Sequence, residues 1–447
     1  QGRMRYERGE ERWQHNLYAS SIANLYPMGR MKDNRYFSDQ LYGDVLLSYS
    51  HTFNDFFVSA TAGSSFTKSK TAHVDLWAEG TQFTSPGNGN IYYPNIFTPN
   101  NYYTNMSTVG KNDNWNTEKR LNAVFATAQF GYKDGLFIDF SARNDWSSAL
   151  AFTESCSFFY PSVGGSFLLD RFVDLGKNVN LFKVRASYSI VGNDVPVFMS
   201  NLLYSLQTQG SITPPENAPF RTLKPEKTHS FEVGFDGTFF QNRLTIGLTY
   251  YKTNTKNQFF SVAAPYESGL RNRYVNAGNV ENQGFEFSAG WYQQFNDDFS
   301  WSTDLNFSYN DNTIKELVDD LPNGLTLTDF GGAKIILKEG GSYGDLYVRH
   351  IMRDDSGKPM KDASTGNPIV SGDTTEDMIY AGNMNAKFNA GWSNTFHYKD
   401  FTLSFLIDGK FGGKVLSMTE ATLDGWGVSK RTGEARDAGK VVVDGVE

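Results

Sequence analysis

THSFEVGFDGTFFQNRLTIGLTYY, residues Thr228 to Tyr251, decides the fold. Phe231, Val233 and Phe235 alternate with Glu232, Gly234 and Asp236. Gln241-Asn242 turns the chain, and Leu244, Ile246, Leu248 and Tyr250 then alternate with Thr245, Gly247 and Thr249. Alternation of period two gives each strand one apolar and one polar face, so the stretch reads as an amphipathic β-hairpin. In a water-soluble sandwich the apolar face would meet a shared core. In an outer-membrane barrel it meets lipid, and the polar face lines a lumen. One hairpin leaves both open.

The same unit recurs along the chain. Hairpins pair Leu41 to Thr52 with Phe56 to Phe66, Lys119 to Tyr132 with Leu136 to Arg143, and Ser230 to Phe240 with Arg243 to Thr253. Gly284 to Phe295 pairs with Phe299 to Tyr309, and Lys387 to Tyr398 with Phe401 to Phe411. Phe158 to Leu169 and Leu181 to Val191 bring the expected total to about twelve strands. Each hairpin closes through a short turn such as Asn54-Asp55, Lys133-Asp134-Gly135 or Lys399-Asp400, residue types that tolerate positive φ. The connections between hairpins are long: Thr67 to Glu118, Asn193 to Lys227, Asn254 to Gln283 and Asp311 to Ala386. Short turns at one end and long loops at the other distinguish the periplasmic and extracellular sides of an outer-membrane barrel. A soluble meander has no reason for that asymmetry.

Composition agrees. The 447 residues are 39% hydrophobic and 15% aromatic, with 36 Phe, 24 Tyr and 8 Trp, a load that suits interfacial girdles. No apolar run reaches the length of a membrane helix, but a barrel strand needs only one apolar face. The net charge of -8 argues against a broad basic footprint for nucleic acid. Cys156, the single cysteine, reads as an incidental thiol. The opening QGRMRYERGEERW has no apolar signal core, which leaves either a removed leader or a start partway through a longer protein.

Beyond these patterns, the run LKPEKTHSFEVGFDGTFFQNRLTIGLTYY from Leu223 and NAGNVENQGFEF at Asn276 to Phe287 resemble the SusC/RagA family of TonB-dependent outer-membrane transporters. So do RNDWSSA at Arg143, FFYPSVGGSF at Phe158, LFKVRASYSIVGND at Leu181 and HYKDFTLSFLIDGKFGGKV at His397, in the family's order. The resemblance implies an all-β, antiparallel transmembrane barrel of about 22 strands, with an internal plug and a Ton box that engages TonB. It also implies a SusD-like surface lipoprotein over the mouth. Residues 1–447 are then expected to be a middle-to-late barrel portion, because no stretch matches the plug, the Ton box, the early strands or the closing strands. The expected function is energised import of oligomeric nutrients, glycan or peptide. A non-energised barrel for diffusion or adhesion is the alternative, followed by a secreted carbohydrate-binding protein.

No enzymatic constellation emerges. The six histidines show no i, i+4 pair of the zinc-protease kind. Glu232 and Glu286 are two carboxylates on polar strand positions, and a wet channel wall accounts for them better than glycoside chemistry. Asp354 to Lys358 resembles the start of a calcium loop but lacks its later ligands, so it reads as a turn. No catalytic residue, metal ligand or cofactor is expected. Specificity belongs in the loops. Thr67 to Glu118 holds Trp77, Tyr92, Tyr93, Tyr102, Tyr103 and Trp115 among Asn and Gly. These aromatics suit contact with a partner or a substrate, or packing of the loop on itself, and all three remain open. Asp311 to Ala386 is the second candidate loop.

Overall fold

The computed structural model describes residues 1–18, 30–79, 95–97, 111–206, 212–213, 215–220, 222–264, 266–276, 278–317 and 324–439. Its body is one antiparallel sheet of 13 strands, each bonded to the next in sequence. They are β1 (Gly2–Leu17), β2 (Arg30–Phe53), β3 (Phe56–Glu79), β4 (Lys111–Tyr132), β5 (Leu136–Ser147), β6 (Ser157–Leu168) and β7 (Val179–Asn193). The series continues with β8 (Glu226–Phe239), β9 (Leu244–Lys256), β10 (Asn279–Asn296), β11 (Phe299–Glu316), β12 (Phe388–Tyr398) and β13 (Phe401–Phe411). All the hairpins read from the sequence form. β1 is additional, and it went unread because charged residues occupy both of its faces.

Register turns the period-two pattern into two continuous surfaces. One cross-strand row runs His51, Val58, Phe130, Ile138, Gly165, Ala186, and then Val233, Tyr250, Phe285, Tyr309, Phe388, Phe411 from β8 to β13. It is almost wholly apolar. One residue along, a row on the opposite face carries Ser50, Ser59, Gln129, Asp139, Gly164, Ser187, Glu232, Tyr251, Gly284 and Asn310. Only lipid rewards an apolar row that crosses so many strands without an opposing layer, so the first face is outer and the second lumenal. Where outward positions are polar, indoles cover them. Trp301 Nε1 donates to Asn394 Oδ1 at 3.1 Å, and Trp392 Nε1 to Thr303 Oγ1 at 2.8 Å.

The tight turns use the expected conformations. Asn54, Lys133, Asp134, Gln241, Asn242 and Lys399 all have φ between 48° and 64°. Asn296 instead closes its turn by accepting from the backbone of Asp298 at 3.0 Å and Phe299 at 2.8 Å. Aromatics gather at this end: Phe56 stacks near Tyr132 at 4.8 Å, Phe295 near Phe299 at 5.2 Å, and Phe240 near Trp291 at 6.4 Å. They form the periplasmic girdle.

The opposite ends correct the sequence reading. The stretch read as a loop from Thr67 to Glu118 is strand as far as Glu79 and again from Lys111. Likewise β9 continues to Lys256, β10 starts at Asn279, and β11 reaches Glu316. A strand of 24 residues spans roughly 80 Å, whereas a crossing needs only about 9–11 residues. β2, β3 and β4 therefore rise far above the membrane. There neither face meets lipid, so the alternation that marks a strand disappears.

The loops between hairpins fold into small structures of their own. Residues 217–218, 259–263 and 272–276 make a three-stranded sheet, and 325–329, 333–337, 345–348 and 379–383 a four-stranded one. Two cores seat these loops on the lumenal side of the wall. One joins Leu150, Phe158, Val195, Met199 and Leu223, and the other joins Val280 and Ile314 of β10 and β11 to Leu337. After β13 come two short helices, α1 (Met418–Gly425) and α2 (Lys430–Asp437), capped by Ser417 and Ser429.

Candidate functional site

Among the described residues, the lumenal face carries one recess halfway along the wall and another at its extracellular mouth. The wall recess, about 560 Å³, is built by β7 to β13 around Arg185, Asp236, Glu286, Asn306, Asn389 and Asp408. Arg185 Nε donates to Asp236 Oδ2 at 3.3 Å, and its Nη2 to Thr249 Oγ1 at 2.7 Å. The guanidinium reaches β9 by lying over Gly234 of β8, where a Cβ would sit 2.8 Å from Arg185 Cζ. Three carboxylates against one cation leave this wall acidic. Glu232 and Glu286 both face the lumen, opposite Tyr251 and Thr249 respectively, in keeping with a wet channel wall.

At the mouth, Tyr251 repeats the device two strands along. Its ring crosses Gly284 of β10, and its hydroxyl donates to Asn310 Oδ1 of β11 at 3.0 Å. Asn310 and Asn312 in turn donate to Asn282 Oδ1 at 3.3 and 2.9 Å. Asn312 Oδ1 accepts from the backbone of Tyr343 at 2.7 Å and from Ser342 Oγ at 3.0 Å, which ties the four-stranded loop sheet to the wall. Asn383 Nδ2 donates to Asp345 Oδ1 at 2.7 Å, and Asn385 Nδ2 to the Tyr343 carbonyl at 2.7 Å. Between wall and loop sheet lies a recess of about 600 Å³ that also touches Tyr347 and Tyr380. Burial, helped by the Asp345 carboxylate, raises the phenols of Tyr347 and Tyr380 above their ordinary value, so both stay protonated donors at neutral pH. The rings meet edge to face at 5.8 Å, and the Lys338 ammonium lies 4.6 Å from the Tyr347 ring centre.

Amides, hydroxyls and aromatic edges with few charges are what a neutral, hydroxyl-rich or peptide-backbone-rich ligand needs. Among the described residues no group of His, Cys, Asp and Glu is arranged to hold a metal ion. Asp354 Oδ1 accepts from the backbone of Ser356 at 3.0 Å and of Lys358 at 2.8 Å, so it serves as a turn cap.

Of the six aromatics proposed from sequence, Tyr92, Tyr93, Tyr102 and Tyr103 lie outside the described residues. Trp77 and Trp115, expected on a loop, stand instead on the upper reaches of β3 and β4, opposite Lys111 and His73. The asparagine cluster was not singled out. Its one legible signal was Asn282, inside the NAGNVENQGFEF motif; the other residues converge only through register and the loop sheet.

Residues 2–403 match the family described as TonB dependent receptor-like, β-barrel. TonB-dependent receptor P39 of Formosa agariphila is 26% identical over 442 residues, covering 87% of this chain and 40% of that protein. TonB-dependent receptor SusC of Bacteroides thetaiotaomicron is 26% identical over 319 residues, covering 65% of this chain and 31% of that protein. Among solved structures, the RagAB peptide transporter superposes with a TM-score of 0.73 at 19% identity, over 92% of this chain and 45% of that one, a likeness of fold. The chain spans less than half the length of these relatives. With an apolar outer face, a polar inner face and a family match over most of its length, the chain belongs to the TonB dependent receptor-like β-barrel family and resides in the bacterial outer membrane.

Proposed function

We propose that this chain forms part of the wall of an importer that carries oligomeric nutrients, glycans or peptides, across the outer membrane. In this reading the barrel works with a SusD-like surface lipoprotein and is energised through TonB. The observation that carries it is the unbroken polar face running from the asparagine and tyrosine recess at the mouth down to the wall recess around Arg185. A ligand held by amides and hydroxyls at the mouth would meet further polar partners on the way down, carboxylates among them at the wall recess. The name of the solved RagAB peptide transporter and that of SusC add support. No chemistry on the cargo is proposed.

The test uses the full-length protein in its host. Labelled oligosaccharides and oligopeptides are offered to cells with and without a working TonB, and to cells carrying Tyr380→Ala with Asn385→Ala. TonB-dependent uptake of one class, reduced by the mouth variant while surface yield is unchanged, supports the reading. Uptake independent of TonB would replace it with passive diffusion.

A further inference from the structure

The outer face of β2 to β6 is not uniform. On β3 the outward positions run Phe56, Val58, Ala60, Ala62, Ser64, Phe66, Lys68, Lys70 from the periplasmic turn upward. On β4 the same levels carry Phe130, Ala128, Ala126, Val124, Asn122, Arg120 and Glu118. Ala60, Ala62, Ala126, Ala128 and Ala142 floor a groove of about 670 Å³, walled by Leu47 and Tyr49 on one side and Phe140 and Val163 on the other. Its lining is almost wholly apolar. Phe66 and Trp146, both exposed, stand above the groove, one on β3 and one on β5.

Immediately above them the surface becomes basic. Lys68, Lys70 and Arg120 all converge on Glu118, with nitrogen–oxygen distances of 3.3, 3.5 and 2.7 Å, and Arg8 lies 3.8 Å from Asp39 on the neighbouring strands. Four cations thus share two carboxylates, an excess of two positive charges. From Phe56 to Phe66 the strand covers about the 9–11 residues of a membrane crossing, which puts these cations at the headgroup level of the outer leaflet. The six steps from Ala62 to Lys68 cover roughly 20 Å, or about 14 Å of depth at ~45° tilt, close to one leaflet of the ~30 Å hydrocarbon core.

We infer that this face binds one acylated, phosphate-bearing lipid of the outer leaflet, with an acyl chain in the alanine-floored groove and its phosphate on Lys68, Lys70 and Arg120. The two features fit that occupant together. An apolar groove alone would take any lipid, and three cations crowded on one carboxylate gain most from an anion whose oxygens accept several charge-assisted hydrogen bonds. The inference rests on membrane placement and on no assumption about cargo.

The test uses the full-length protein, purified in detergent and titrated by native mass spectrometry with lipid A, with phosphatidylcholine, and with inorganic phosphate as competitor. Lipid A should bind in preference to phosphatidylcholine and resist inorganic phosphate. Affinity should fall at least about tenfold in Lys68→Gln/Lys70→Gln/Arg120→Gln, and independently in Ala126→Phe, which fills the groove. Heat-modifiable gel mobility identifies variants that still fold, and Lys68→Arg should retain binding where Lys68→Gln loses it. Equal affinity for both lipids, full competition by inorganic phosphate, undiminished binding in folded variants, or a second copy of the chain on this face in place of lipid would each overturn the inference.

Discussion

Arg185 of β7 reaches past β8 to Thr249 of β9, its Nη2 2.7 Å from the Thr249 hydroxyl, and Gly234 between them leaves the space it crosses. A side chain at 234 must displace the guanidinium. Gly234→Val should therefore cost about 1 kcal/mol, at the low end for overpacking because the obstacle is the end of a flexible side chain. In Arg185→Ala that cost should largely vanish. A double-mutant cycle on barrel stability, read by heat-modifiable mobility, checks the coupling; strictly additive effects would mean that the two positions do not compete for space.

Gly284 presents a harder case. A Cβ there would run into the Tyr309 carbonyl as well as the Tyr251 hydroxyl, and backbone cannot swing aside as an arginine can. Gly284→Ala is expected to lower the yield of folded barrel more than Gly234→Ala, and truncating Tyr251 should not restore it. Surface yield of the three variants provides the measurement.

Facing sets a third expectation. Ile246 pairs with Gly237 and Ala289 on the outer surface, and Thr245 with Thr238 and Gly290 on the lumenal one. Ile246→Arg near mid-membrane should cost roughly 2–4 kcal/mol, and Thr245→Arg much less. Equal damage from both would reverse or abolish the assigned orientation.

At the tip of an extracellular hairpin, Asp362 accepts from the hydroxyl of Ser364 at 2.5 Å and from the backbone and hydroxyl of Thr365 at 2.8 and 3.0 Å. These bonds, the Ser364 hydroxyl foremost, hold its carboxyl down at about 2. With the folded value below the ordinary carboxylate value, the contribution of Asp362 is complete above about pH 4 and is lost as pH falls through about 2. Amide exchange at Ser364 and Thr365 should stay slow down to about pH 3 and quicken below it, and in Asp362→Asn should no longer follow this titration.

The last expectation concerns the loop aromatics. Replacing Tyr92, Tyr93, Tyr102 and Tyr103 together with Ala should weaken co-purification of a SusD-like lipoprotein or ligand uptake while the barrel still folds, since aromatic anchors dominate interfaces. If co-purification and uptake both persist, the lid is held elsewhere, and the loop sheet above β11 is the next surface to substitute.

The sequence by itself determined the hairpins, their turns, the two faces of each strand and the family. Phe231 to Phe235 and Leu244 to Tyr250 alternate because lipid and lumen make opposite demands on neighbouring residues, and that contrast is written locally. Where the contrast ends, so did legibility. β1 and the upper parts of β3 and β4 have lipid on neither face and carry polar or charged residues on both, so Gly2 to Leu17 showed no period and Thr67 to Glu79 read as loop. The tertiary structure alone decided what meets across strands, because register joins residues far apart in the chain. It set Arg185 over Gly234 and Tyr251 over Gly284, gathered Asn282, Asn312 and Asn385 around one recess, and placed Lys68, Lys70 and Arg120 above a groove floored by alanines from three strands. Each of these groupings depends on pairings that no single segment encodes.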